Sequence, residues 1–443
     1  MNFQEEYKSK LVTPDEAVKL VKSGDWVEYG SFSGQVVELD KALAKRKDEL
    51  FDVKIRGTSR VGTPETVKAD PENEHFTYNS THLGAGERKL SDEHLCWYLP
   101  VLYHEQPGYY RKHIKTDVLF LTVPPMDKWG YFSFGPQVSH AMALCETAPT
   151  IILEVNPNVP QCLGGFQEAI HISKVTRVVE ANWELPQIPN IAPSEIDQKI
   201  AELIMGRLED GDCLQLGIGG MPNAVGAMIA KSDLKDLGIH TEMFVDSFVD
   251  MIEAGQVTGA RKNIDKYKVV ATFALGSKTT YDYVDSNPRV AFYPVDYTND
   301  PFVIAQNDKV VAINNCVEVD ILGQICSESS GTRQISGTGG QLDFTYGAYR
   351  SKGGRAFICM SSAYTKKGGL VSRIKSTLTP GAVVTVPRTM VHYLVTEYGV
   401  VDLKGRTLWE RAESVISIAH PDVRDQLIGE AEEIGVWRKS NKR

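Results

Sequence analysis

Two stretches, Val118 to Val123 and Thr150 to Val155, are short, nearly continuous apolar runs, each bounded by a polar residue on one side and a proline on the other. A strand with one face in water alternates apolar and polar side chains. A run of four to eight residues without that alternation needs cover on both faces. Helix-patterned segments lie between such runs and can supply the cover. Thr13-Pro14-Asp15-Glu16 has the form of a helix start, with Thr at the cap, Pro in the first turn and Glu three residues on. Ala17, Leu20 and Val21 continue an apolar face to Gly24, and Trp26 to Tyr29 then reads as a strand. The pattern predicts an α/β chain built on open, mostly parallel sheets.

The pattern occurs twice. Ser23-Gly24-Asp25-Trp26-Val27-Glu28-Tyr29-Gly30 follows a helix in the first half, and Asp210-Gly211-Asp212-Cys213-Leu214-Gln215-Leu216-Gly217 follows one in the second. Each continues through a small-residue loop into another apolar-patterned helix. Between the two copies, Leu185 to Pro193 carries three prolines in nine residues and reads as a linker. Ser194-Glu195-Ile196-Asp197 after it can cap a new helix. The expectation is two similarly built α/β domains, 1–190 and 191–443.

Composition narrows the function classes. The 443 residues are 42% hydrophobic and 24% charged, ordinary for a globular chain. A net charge of -9 gives no global field to attract nucleic acid or anionic lipid, so an anionic ligand must be held by local geometry. The seven cysteines have no CxxC spacing and are odd in number, which reads as reduced thiols and not as a zinc site. The N-terminus shows no secretory pattern, and no apolar run approaches the roughly 20 residues that span a bilayer. A cytoplasmic protein without membrane or nucleic-acid partners is expected.

Three constellations can carry chemistry. Gly217-Ile218-Gly219-Gly220-Met221-Pro222-Asn223-Ala224 sits between a strand and a helix. Glycines there let the backbone approach a ligand, and the helix start offers free N–H groups to an anion. Pro222 breaks a dinucleotide fingerprint and no Lys-Ser/Thr completes a P-loop, so a tight structural turn is the rival reading. Next, Gly238-Ile239-His240-Thr241-Glu242 ends on a carboxylate at the close of a strand, where open sheets gather ligands. A surface or capping glutamate competes with a catalytic one there, and His240 has an ordinary structural reading too. The third is Ser327-Glu328-Ser329-Ser330-Gly331 followed by Ser336-Gly337-Thr338-Gly339-Gly340-Gln341. Its amides could form an oxyanion site, a long surface loop is the alternative, and Glu328 rivals Glu242 for the carboxylate role. Arg333, Arg350, Lys352, Arg355, Lys366, Lys367, Arg373 and Lys375 are candidate phosphate-binding cations. In the first half, Tyr103-His104-Glu105-Gln106-Pro107 and Gly135-Pro136-Gln137-Val138-Ser139 break the α/β rhythm and can build a pocket or simply pack.

Taken together, the Gly217–Ala224 loop, His240-Thr241-Glu242-Met243, Pro294-Val295-Asp296-Tyr297, the Ser336–Phe344 stretch, Val395-Thr396-Glu397-Tyr398-Gly399 and Ile418-Ala419-His420-Pro421 resemble a class I coenzyme A transferase. The branch is that of the acetyl-CoA hydrolase/transferases, with the butyryl-CoA:acetate and 4-hydroxybutyrate CoA-transferases. The resemblance covers essentially the whole chain. It implies an active site between two α/β domains and a catalytic Glu242 that forms a glutamyl-CoA thioester. It implies coenzyme A contacts from Gly217, Ile218, Gly219, Gly220, Met221, Asn315, Gly339, Gly340 and Lys366, and substrate contacts from Ser31, Phe32 and Gln341. No metal and no tightly bound cofactor are expected; acyl-CoA and short-chain carboxylic acids are the substrates, and a homodimer or homotetramer is the expected assembly. Relatives acting on 4-hydroxybutyrate can carry a His in the loop that here reads Tyr29-Gly30-Ser31-Phe32-Ser33. Phe32 in its place implies a less polar acyl pocket and butyryl-CoA as donor to acetate. A 4-hydroxybutyrate or other short-chain acyl transferase, an acyl-CoA hydrolase, and a nucleotide-binding module without catalysis are the alternatives.

Overall fold

In the computed structural model, which describes residues 2–188 and 191–441, the chain forms two compact units. The first holds the described residues up to 188 and takes back two later segments, Glu242–Asp246 and Lys268–Thr298; the second holds residues 191–241, Ser247–Tyr267 and 299–441.

The first unit is built on a seven-stranded sheet in the order Trp97–Tyr98, Phe76–Ser80, Val53–Thr58, Trp26–Ser31, Val118–Val123, Thr150–Val155, Arg177–Glu180. Every neighbouring pair is parallel. Val118–Val123 lies inside the sheet with all six residues buried, and it pairs in continuous register with Thr150–Val155. This is the burial that its nearly continuous apolar run predicts. Glu154, the one charge in the second run, is buried too, and its carboxylate accepts the Val37 and Leu39 N–H groups at 3.0 and 2.9 Å. A buried carboxylate thereby satisfies the start of the helix Glu38–Ala44.

The second unit repeats the plan with a six-stranded sheet: Gly238–Ile239, Cys213–Leu216, Val310–Asn315, Arg355–Cys359, Tyr393–Thr396, Gly399–Asp402. Only the last pair is antiparallel. The two Gly-Asp turns enter corresponding strands, and Gly24 and Gly211 adopt φ of 86° and 79°, a left-handed turn that favours glycine.

Local signals are realised unevenly. Thr13 and Glu16 form a reciprocal capping box, as do Ser194 and Asp197. The helix after Thr13, however, is only Pro14–Ala17 and tightens into a 3-10 turn over Val18–Leu20. Arg46 donates to the Val21 carbonyl at 2.9 Å and to that of Val18, satisfying these groups without further helical turns. The proline-rich stretch is not a free tether in its described part. The Pro186 carbonyl accepts the Tyr281 hydroxyl at 2.7 Å, and the Ile188 N–H donates to Gly276. Pro189 and Asn190 lie outside the described residues. No helix among the described residues is long and apolar enough to cross a membrane.

A buried polar cluster in the first unit couples its fold to pH. Arg56 pairs with Glu28, Tyr110 donates to the other Glu28 oxygen at 3.1 Å, and the His140 ring stacks on Tyr110 at 5.2 Å. Burial, with a smaller contribution from the nearby Arg56 charge, pulls the His140 pKa from 6.5 down to about 3. Between those values the unfolded chain binds a proton that the folded chain does not. Stability from this group is therefore full above about pH 6.5 and falls as pH drops toward 3, by on the order of 3 kcal/mol at pH 4. Urea melts of wild type and His140→Asn between pH 7 and 4.5 should show a shallower acid loss in the variant.

Candidate active site

Glu242 belongs to the first unit although it follows a strand of the second. Its backbone carbonyl accepts the N–H groups of Thr272 and Phe273 at 3.0 and 3.3 Å. Met243–Phe244 then pairs in parallel with Phe273–Ala274. The glutamate is half-buried, between a buried Thr241 and a buried Met243. A short parallel pairing thus fixes its backbone at a half-buried position.

Around that position stands an aromatic trio. Phe32 stacks on Phe273, with ring centres 3.7 Å apart and planes 3° from parallel. Tyr103 meets both rings edge-on at 6.3 Å. Phe32 takes a left-handed φ of 51°, an uncommon conformation for a bulky side chain that the surroundings must hold. They do so through Gln137, which accepts the Ser31 N–H at 2.9 Å and donates to the Thr122 carbonyl at 2.9 Å. Gly30 and Gly34 make room for this arrangement. A Cβ on Gly34 would fall 1.8 Å from the Gln137 side chain, and one on Gly30 would fall 2.0 Å from the Gly34 carbonyl oxygen.

The glycine loops lie in the second unit. Gly217 to Gly219 leave the end of Cys213–Leu216, and Gly219 has φ 118° where the helix Gly220–Ile229 begins. Asn315 ends the neighbouring strand; its carbonyl accepts the Gln341 amide at 2.7 Å, and its own amide faces Gly219. Gly339 takes φ 53°, and Gly340 starts the helix Gln341–Arg350. Gly217 to Gly220, Asn315 and Gln341 are therefore neighbours, with two helix starts available to an anion. Gln341, expected on the substrate, lies in this unit, whereas Ser31 and Phe32 lie in the first.

A pocket of about 670 Å³ opens in the second unit beside these loops. Met221, Asn315, Cys316 and Met360 line it, with Tyr364, Arg373, Glu397, Tyr398 and His420. Glu397 accepts the Ser362 N–H and O–H at 2.8 and 2.6 Å, and His420 caps the helix Pro421–Glu433. The Glu397-Tyr398 and His420-Pro421 motifs thus meet on one wall. Of the eight candidate cations, Arg373 lines the pocket; its guanidinium lies over the Tyr364 ring, donates to Val317 and leaves Nε buried without a partner. Lys199, which the sequence reading did not single out, lines it as well. Lys366 is exposed on the hairpin Ala363–Lys366/Gly369–Ser372, one residue beyond the lining residue Thr365. Arg355 is engaged elsewhere, with Asp212 and, at 3.5 Å, Glu209 at the start of its strand.

Glu328 has another use. It is buried, its carboxylate accepts the Thr385 and Thr338 hydroxyls at 3.0 and 3.3 Å, and its carbonyl accepts the Ile335 and Ser336 N–H groups. It fastens the second glycine loop from beneath. His240 is buried, with its N–H on Leu214 and its ring 6.3 Å from Phe344.

The acetyl-CoA hydrolase/transferase N-terminal domain model matches residues 1–189, and the C-terminal domain model of the same name matches 276–431. The chain belongs to the acetyl-CoA hydrolase/transferase family. It is 55% identical, over 99% of its length and 98% of the relative's, to a protein of Syntrophomonas wolfei named a probable butyrate:acetyl-CoA coenzyme A-transferase. It is 53% identical, over the full length of both, to the butyryl-CoA:acetate CoA-transferase of Anaerostipes caccae. Among solved structures, RipA from Yersinia pestis superposes with a TM-score of 0.92 at 37% identity, covering 98% of this chain and all of that one.

Gly219→Ala should test the first glycine loop. A side chain at φ 118° costs about 1–3 kcal/mol of strain. If the loop relaxes by moving, the KM for acyl-CoA should rise roughly tenfold in steady-state kinetics, with little change in the KM for the free acid.

Proposed function

We propose that the protein transfers coenzyme A between butyryl-CoA and acetate, through a glutamyl-CoA thioester on Glu242. One observation carries the reading: over essentially its whole length the chain shares more than half its residues with two relatives named for this exchange. The setting of Glu242 supports it: its carbonyl is anchored by the Thr272 and Phe273 amides and the residue is half-buried.

In this cycle a Glu242 carboxylate oxygen attacks the thioester carbonyl, the C–S bond breaks, and an acyl-glutamyl anhydride and CoA thiolate result. The thiolate then attacks the Glu242 side-chain carbonyl and expels butyrate, leaving the glutamyl thioester. Acetate attacks that carbonyl and displaces the thiolate, which attacks the acetyl carbonyl to give acetyl-CoA and restore the carboxylate. Each intermediate conserves the energy of the thioester, and one difficult exchange becomes two reversible halves. Every step passes an oxyanion, for which correctly placed amides are worth about 3–4 kcal/mol each. As written, the cycle uses only side-chain and substrate atoms, without a metal or redox carrier. Coenzyme A is assigned to the loops Gly217–Met221 and Gly339–Gly340, Asn315 and the adjoining pocket, with Lys366 near its mouth. The acyl group is assigned to Ser31 and Phe32, and Gln341 to the thioester end.

Seven free cysteines, six of them buried, suit a reducing, cytoplasmic setting. A homodimer or homotetramer is the proposed assembly, and light scattering would read it directly.

Incubation with butyryl-CoA alone followed by borohydride should place a reduction product on Glu242 by mass spectrometry, because the thioester is the reducible species. Modification at another carboxylate would reassign the nucleophile. Glu242→Gln should fold and lose roughly a thousandfold or more in kcat. Labelled acetate should appear in acetyl-CoA; release of free CoA alone would make the protein a hydrolase. The Phe32–Phe273 stack offers no partner for a substrate hydroxyl, so kcat/KM for butyryl-CoA should exceed that for 4-hydroxybutyryl-CoA by about tenfold or more.

A further inference from the structure

The proposed cycle releases and recaptures a free carboxylate in a region lined by phenylalanine rings. An anion there is costly to bury unless a donor meets it. The phenol of Tyr103 is the polar group of the aromatic trio. It is buried and edge-on to both Phe32 and Phe273, and the Phe273 N–H is bonded to the Glu242 carbonyl. Its oxygen lies 2.6 Å from Ser139 Oγ, which lies 2.9 Å from His140 Nδ1.

This three-member chain has a direction. Each hydroxyl has one proton, and a neutral imidazole has one N–H. If His140 carries its proton on Nδ1, it donates to Ser139, Ser139 donates to Tyr103, and the phenolic O–H is left to point elsewhere. With the proton on Nε2, both links reverse and Tyr103 presents only lone pairs. A carboxylate nearby selects the first arrangement, because lone pairs facing an anion repel it. Burial and the neighbouring charge of Glu242 also raise the Tyr103 pKa well above its ordinary value, so the phenol keeps its proton throughout the working range. Ser139 is fixed for this role by its backbone. It holds a left-handed φ of 34°, its N–H donates to the Thr272 carbonyl at 3.0 Å, and its carbonyl accepts the Val295 N–H at 2.8 Å. Strain held at a residue whose hydroxyl joins two buried side chains marks a position kept for geometry.

Resting on the CoA-transferase reading above, we propose that Tyr103 donates its phenolic O–H to the carboxylate of the short-chain acid as it leaves and enters, with Ser139 and His140 as positioning residues that aim it. The interaction belongs to the free acid and not to the thioester, which carries no carboxylate at its reacting end. That difference separates this role from a packing role.

The test is a pair of variants in the full chain, read as separate KM values for acetate and butyryl-CoA. Tyr103→Phe keeps the ring and removes the donor; the KM for acetate should rise tenfold or more while that for butyryl-CoA stays within twofold. Ser139→Gly relieves the left-handed backbone and removes the hydroxyl that aims the phenol; the KM for acetate should rise about three- to fivefold, again selectively. The second variant decides the matter if Tyr103→Phe fails to fold. An acetate KM within twofold of wild type, or an equal rise in both KM values, would overturn the proposal. Wild-type exchange and its loss in Glu242→Gln test the underlying reading separately, so an active wild type with an unchanged Tyr103→Phe would sink this inference alone.

Discussion

The hydrogen bonds from the Thr272 and Phe273 amides to the Glu242 carbonyl organise the corner of the first unit that holds the proposed nucleophile. They connect a short segment of the second half of the chain to another some thirty residues later and draw both into the first unit. Once Met243–Phe244 pairs with Phe273–Ala274, the Phe273 ring is available to stack on Phe32, and Phe32 and Phe273 together confine Tyr103. A backbone anchor suits the role proposed for Glu242, because it fixes the side chain's origin without occupying its oxygens.

The two units use related architecture for different chemical demands. In the second, parallel strands end in glycine loops that expose helix starts, an arrangement suited to phosphates and oxyanions. Buried carboxylates there serve structure: Glu328 fastens a loop through two threonine hydroxyls, and Asp212 pairs with Arg355. In the first unit the loop after the corresponding strand carries Phe32 in a strained conformation, kept in place by Gln137 and two glycines that leave it room. Hydrogen bonds on either side, from the Ser31 N–H to Gln137 and from the Ser33 hydroxyl to the Ala274 carbonyl at 3.2 Å, hold that geometry in the folded protein.

How much of this could be read beforehand depended on the range of the interaction. Thr13 and Ser194 were recognisable as caps because a capping box spans four residues. Val118–Val123 and Thr150–Val155 were recognisable as interior strands because their composition reports burial on both faces. The short helix after Thr13 was not, since Arg46, nearly thirty residues away, satisfies the carbonyls that further turns would have used. Arg355 reads from the sequence as a phosphate-binding candidate, but its strand places it against Asp212. Tyr103 and Ser139 lie in stretches that break the α/β rhythm, but nothing local in the sequence says that their hydroxyls meet.

The sequence by itself determined the α/β class, the doubled plan, the strands without a wet face and the glycine-rich turns, because each follows from side-chain periodicity or from conformations that favour glycine. Tertiary structure alone decided that Glu242 returns to the first unit, that Glu328 is a clamp, and that Phe32, Tyr103 and Phe273 share one corner. Those outcomes depend on pairings between residues far apart in the chain, where the energy of a hydrogen bond or a ring contact is realised only after the intervening sheet has closed the distance.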